Sequence, residues 1–165
     1  MIINRAWAMP NKNTFSIKPI DELLGRVMQG YSCDPFANGN TLADVTNDID
    51  PQFDTMFNQD ALEFLKTQDC VYDTVLFDPP YSPRQVSECY KSMGRTVNMQ
   101  TTQASFWSNL KKEVSRVTKT GGVCITFGWN SGGIGKKYGF EIQEILLVAH
   151  GGWHNDTIVT VERKI

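Results

Sequence analysis

Several things are scarce in this sequence, and each scarcity narrows the field. Only four of the 165 residues are cysteine. Cys33, Cys70, Cys89 and Cys124 form no CxxC pair, and His150 and His154 are the only imidazoles that could join them. That is not the close pairing of a structural zinc site, so no metal is expected and the thiols read as buried groups in a reducing compartment. Charge of one sign is also lacking: 16 Lys plus Arg stand against 18 Asp plus Glu, for a net charge of −2. No whole-protein field attracts phosphates, and any nucleic-acid contact has to come from a local patch or a second subunit. No apolar run approaches the roughly 18 residues of a membrane span. Met1 to Trp7 lacks the basic start and apolar core of a signal peptide, so a cytoplasmic protein without membrane contact is expected. Repeats, low-complexity tracts and like-charge runs are missing too, and residues 1–165 read as a single domain.

What is present is an ordinary globular composition, 41% apolar and 21% charged, arranged as alternating helices and strands. Residues 17–28 carry an apolar stripe at 20, 23, 24, 27 and 28 behind Pro19, which predicts a short helix ending near Gly30. Tyr31 to Phe36 and Ala43 to Ile49 read as strands, and residues 60–65 as a strand end passing into a short helix. The continuous β-branched run Thr74 to Phe77 predicts a strand covered on both faces. Residues 84–94 read as a short helix. Ala104 to Val117 is a longer amphipathic one, ended by Gly121-Gly122. Val123 to Phe127, Phe140 to Ala149 and Thr157 to Val161 complete the strands, the last two joined by a short turn and therefore antiparallel. The fold class is α/β with a mostly parallel sheet and an antiparallel C-terminal hairpin at its edge.

The strongest strand stops at Asp78-Pro79-Pro80-Tyr81. Ligands of open α/β sheets bind beyond the carboxyl ends of strands, which puts this tetrapeptide where a site belongs. Two prolines fix φ and remove two N–H donors, so the turn is stiff and rich in acceptors. Asp78 adds a carboxylate and Tyr81 an aromatic face. Such a cradle suits a planar amine. Accepting both amine hydrogens, at the Asp78 carboxylate and the Pro79 carbonyl, pulls the nitrogen toward tetrahedral geometry and aims its lone pair at an electrophile. Tyr81 would hold the base by stacking, worth about 1–3 kcal/mol. The same residues are also those of a Pro-Pro turn that merely closes a strand.

Asp-Pro-Pro-Tyr after an apolar strand resembles the catalytic motif of the S-adenosylmethionine-dependent amino methyltransferases, chiefly the DNA adenine-N6 enzymes. The closing region from Gly139 to Thr157 is similar to the end of small phage- and mobile-element-type adenine methylases. The resemblance implies a reduced Rossmann-like methyltransferase fold with S-adenosylmethionine as cofactor and DNA as partner. Asp34-Pro35-Phe36-Ala37-Asn38-Gly39-Asn40 looks like the family's cofactor loop, which places Asp34, Pro35, Phe36 and Asn38 at the methionine end of the cofactor. Two expected glycines are Asn38 and Asn40, and Asn is the next-best residue at positive φ. By the same resemblance Asp48 accepts the ribose hydroxyls, Asp60 the adenine amine, and Phe15 and Lys18 meet the cofactor's amino-acid end.

Two departures bear on the fold and the partner. Seven residues separate Phe36 from Asp44, too few for a normal parallel crossover, so the family's first helix is shortened or missing. No separate target-recognition domain is expected within the 165 residues. Contacts to a target strand then fall to the connection from Ser82 to Gln103, with Arg84, Lys91 and Arg95; Trp129, at the end of the next strand, reads either as core packing or as a second wall of the pocket. Low sequence specificity, or help from a homodimer, follows. His150 and His154 read as surface or hairpin packing, since methyl transfer needs no dedicated base. RNA or protein-amide methylation, and cofactor binding without turnover, stand as alternatives.

Overall fold

The computed structural model describes residues 1–69, 71–80, 91 and 104–165. Seven strands form one sheet: β1 (Ile2–Trp7), β2 (Ser32–Asp34), β3 (Val45–Thr46), β4 (Tyr72–Phe77), β5 (Thr118–Gly128), β6 (Phe140–Ala149) and β7 (Thr157–Lys164), in the order β1-β6-β7-β5-β4-β2-β3. The helices among the described residues are α1 (Lys18–Val27), α2 (Ala61–Thr67) and α3 (Ala104–Val117). The expected 84–94 helix lies outside the described residues apart from Lys91. All neighbouring strands pair parallel except at β7, which is antiparallel to both β5 and β6.

Alternation along the strands sorts the core into two layers. Leu76, Ile125, Phe127, Val148 and Val159 meet Ile20, Leu23 and Leu24, the buried stripe of α1. On the other face, Val75, Phe77 and Cys124 meet Phe64 and Leu65 of α2 and Leu110 and Val114 of α3. Leu24, Leu65 and Leu110 are fully enclosed, and burial of a side chain of that size stabilises the fold by about 1.5–3 kcal/mol each. A bidentate pair, Arg26 Nη1 to Glu144 Oε2 at 2.9 Å and Nη2 to Oε1 at 2.8 Å, docks α1 on β6. Asn4 Nδ2 donates to the same Oε1 at 2.9 Å and fastens β1 beside it. The guanidinium holds the Glu144 carboxyl below its ordinary range.

Four details differ from the expectations set by the sequence. The antiparallel hairpin is present but is not the sheet's edge, because β7 inserts between β5 and β6 and the unforeseen β1 covers β6. Gly121-Gly122 do not end α3; that helix stops at Val117 and β5 begins at once. The two glycines sit in a bulge where Tyr72 pairs Thr118 but Thr74 pairs Val123. A side chain on Gly122 would run into the Lys119 carbonyl at 2.8 Å. Strands β2 and β3 are much shorter than the segments 31–36 and 43–49 expected as strands. Between them, residues 35–44 contain turns and no helix, as the short spacing requires. Cys33 and Cys124 are buried free thiols, and no helix among the described residues is long and apolar enough to cross a membrane.

Candidate active site at the carboxyl edge of the sheet

Strands β2 to β5 run in one direction, so the residues that follow them share one edge. Asp34 closes β2, Asp48 follows β3, Asp78 follows β4 and Trp129 follows β5. A parallel bridge between Asn47 and Phe57 brings the segment leading to Asp60 to the same edge. The topology therefore gathers four of the acids singled out in the sequence.

Asp34 is wholly buried. Its Oδ1 accepts from the Phe36 N–H at 3.1 Å, while Oδ2 has no hydrogen-bond partner among the described residues. Burial pushes this carboxyl well above the ordinary range. The Phe36 amide works against that shift, and the neighbouring charges of Asp78 and Asp48 reinforce it. A buried carboxylate oxygen without a donor is costly. An ammonium is the group that would relieve it, and the methionine end of S-adenosylmethionine carries one, so the residues present fit that cofactor.

The loop after Asp34 is pinned from several sides. Pro35 is buried, and the half-buried Phe36 ring meets Phe77 edge-on with centroids 5.8 Å apart. Asn38 takes the left-handed conformation, φ +50°, and its N–H donates to Asp48 Oδ2 at 2.9 Å. Asp48 Oδ1 accepts from the Asp50 N–H, also at 2.9 Å. Asp48 thus shapes the loop after β2. Burial raises its carboxyl, and those two amides oppose the rise. Asp60 caps α2, its Oδ1 accepting from Leu62 and Glu63 amides at 3.0 and 3.3 Å. Phe15 is buried against Phe127, ring centroids 4.9 Å apart, so its ring is taken up by the core. Lys18 is exposed at the first residue of α1.

On the far side of β4, Asp78 and Pro80 are half-buried and Pro79 is buried. Pro79 also lines a cavity of about 270 Å³ together with Phe77, Thr126, Trp129, Trp107 and Lys111. Trp129 in that lining is 42% exposed. Tyr81 and Arg84 lie outside the described residues, as does Arg95.

Four contributors escaped the sequence reading. Asn47 is fully buried; its Nδ2 donates to the Pro35 carbonyl at 3.1 Å and the Gln59 carbonyl at 3.0 Å, and its Oδ1 accepts from the Gln59 N–H at 3.0 Å. One amide therefore joins the loops after β2, after β3 and before α2. Glu162 of β7, also fully buried, accepts from the Ile134 and Gly135 amides at 2.6 and 2.9 Å and folds the loop behind Trp129. Gly133 in that loop has φ +53°, and a side chain there would drive into the Glu162 carboxylate. Trp107 and Lys111 stand four apart on α3 and reach the cavity together. Each of these depends on partners far away in sequence, and only the Trp107–Lys111 spacing carried a local signal.

No protein-family model matches the sequence, and a search of curated proteins finds no match. Solved structures do match. TrmN from Thermus thermophilus superposes with TM-score 0.56 at 16% identity over 90% of this chain and 49% of that one. The proposed methyltransferase yhhF from Escherichia coli gives 0.53 at 10% identity, covering 90% of this chain and 85% of its own. The proposed methylase HI0767 from Haemophilus influenzae gives 0.51 at 9%, covering 95% and 92%. The chain spans about half the length of TrmN. At these identities the likeness concerns architecture, and the protein has a methyltransferase fold.

Proposed function

We propose that this protein transfers a methyl group from S-adenosylmethionine to the N6 amine of adenine in DNA. The observation that carries the reading is the position of Asp78-Pro79. It lies between an acid-lined loop holding the Asp34 oxygen that lacks a partner among the described residues and a cavity with two tryptophan walls. Asp34 with Phe36 and Asn38 would hold the cofactor's amino-acid end, Asp48 its ribose and Asp60 its adenine. Bound there, the cofactor supplies an electrophilic sulfonium methyl.

The remaining chemistry belongs to the chain. An adenine amine is a weak nucleophile because its lone pair is delocalised into the ring. The Asp78 carboxylate and the Pro79 carbonyl accept its two hydrogens, localise the lone pair and direct it toward the cofactor side. The amine proton leaves to Asp78 or to water after transfer, so neither histidine is needed. Tyr81 is assigned to stacking on the base, and Arg84 to the target strand. A duplex adenine must be flipped out of the stack to enter the cavity.

Replacing Asp78 by Ala tests the assignment. Methyl incorporation from labelled cofactor into adenine-containing DNA should fall at least a hundredfold, with cofactor affinity nearly intact. Unchanged turnover overturns the role of Asp78. Parallel arms with RNA and with total protein separate the alternative acceptors, and cofactor binding without product in any arm favours a non-catalytic binder.

A further inference from the structure

Three large indoles stand exposed on the edge that carries Asp78. Trp7 ends β1 at 65% exposure, Trp153 lies in the β6–β7 turn at 103%, and Trp129 ends β5 at 42%. Because β1, β6 and β5 run parallel and β7 returns between them, all three fall on the carboxyl edge. Their order along it is Trp7, Trp153, Trp129, and next comes Asp78 at the end of β4. Three strand spacings separate β1 from β5, a row of roughly 14 Å.

The turn is anchored at its base. His150, buried at the start of the turn, places Nδ1 2.8 Å from the Ala8 carbonyl and Nε2 2.7 Å from Thr157 Oγ1. One imidazole thereby joins the chain leaving β1 to both strands of the hairpin. Gly151 and Gly152 adopt φ +71° and +57°, a reversal that side chains resist, and Trp153 follows directly. A Cβ on Gly151 would lie 3.4 Å from Trp7 Nε1, so the turn and the Trp7 indole are neighbours. Trp153 is fully solvated on an anchored turn and Trp7 beside it is largely exposed, and exposed apolar faces clustered at one edge signal a partner.

We propose that this edge is a stacking platform for an unpaired nucleic-acid strand, on which flanking bases lie over Trp7 and Trp153 while the target base enters beside Trp129. The inference rests on the methyl-transfer reading for its direction, since the row ends at the cavity beside Pro79. Indole stacking accepts any base, and bases in a duplex have no free faces to offer. A chain of net charge −2 has little long-range attraction for phosphate, so base faces would add grip to the few contacts assigned to Arg84 and its neighbours.

The test uses a twelve-nucleotide deoxythymidine strand, which holds no adenine and so probes the platform apart from methyl acceptance. The protein should bind this strand at least tenfold more tightly than its duplex with deoxyadenosine, with quenching of indole fluorescence. W7A with W153A should weaken single-strand binding at least tenfold, W153F should retain most of it, and methylation of the nucleoside deoxyadenosine should be unchanged. Equal affinity for duplex and single strand, or unaltered binding by the double variant, overturns the platform. So does a dimer in solution that the double variant dissociates while strand binding persists. Failure of the methyl-transfer reading looks different: the strand binds and the variants weaken it, yet no acceptor is methylated.

Discussion

Asp34 is the residue where the fold bears a cost without an evident structural return. One oxygen is served by the Phe36 amide and the other has no donor among the described residues. A carboxyl whose folded-state pKa is raised binds more protons in the folded than in the unfolded chain. Its contribution to stability is therefore best at low pH and declines as pH climbs from the ordinary carboxylate range through the raised value. Asp34→Asn removes that titration. Thermal unfolding without cofactor should show a shallower loss of stability with rising pH than in the parent, while affinity for S-adenosylmethionine falls at least tenfold. A parallel pH dependence in the two proteins would show that Asp34 does not carry the burden. Asp48 and Glu162 are raised by burial in the same sense, so a residual slope is expected in the variant. Asp78 was legible as a candidate because it directly follows the apolar run Thr74 to Phe77, and Asp34 because its loop resembles a known cofactor loop, whereas the Oδ2 that lacks a donor among the described residues belongs to the packed structure alone.

Among the elements, strength of pattern decided what could be read from the sequence. Strand β4 is buried along nearly its whole length, and its second half, Thr74 to Phe77, reads as a continuous buried run. The stripe of α3 at Phe106, Leu110, Val114 and Val117 is all buried. Strand β1 was missed because it is an edge strand with exposed residues on both faces, so Ile2 to Trp7 shows no alternation. The bulge in β5 was misread as a helix stop, since Gly-Gly marks either and only the pairing with β4 distinguishes them. Asn47 was passed over for its neighbour Asp48, because a buried side-chain amide gives no sign of its partners 12 residues away on both sides. Asn47→Ala leaves the Pro35 and Gln59 groups unpaired and should cost about 2–3 kcal/mol in urea unfolding, with a matching loss of cofactor affinity. A cost below about 0.5 kcal/mol would mean that the three loops are held independently of this amide.

At the scale of the whole molecule, one topological fact sets the site. The parallel strands deliver their acids to a single edge, and the antiparallel β7 extends that edge sideways to the tryptophans. The helix missing between β2 and β3 leaves this arrangement intact, because a left-handed turn at Asn38 and the Asp48 carboxylate close the loop in its place. The near-neutral charge also predicts how the protein meets DNA. The logarithm of affinity should fall with the logarithm of salt at a slope no steeper than about −3, the release expected from neutralising three or so phosphates. A slope near −8 would reveal a basic surface that the described residues do not provide.

The central claim concerns which atom receives the methyl group. DNA incubated with the protein and isotope-labelled S-adenosylmethionine, digested to nucleosides and separated by mass, reads that atom directly. The account predicts labelled N6-methyldeoxyadenosine, absent when Asp78→Ala replaces the parent. Label on cytosine N4, or no labelled nucleoside at all beside a protein that binds the cofactor, would contradict it.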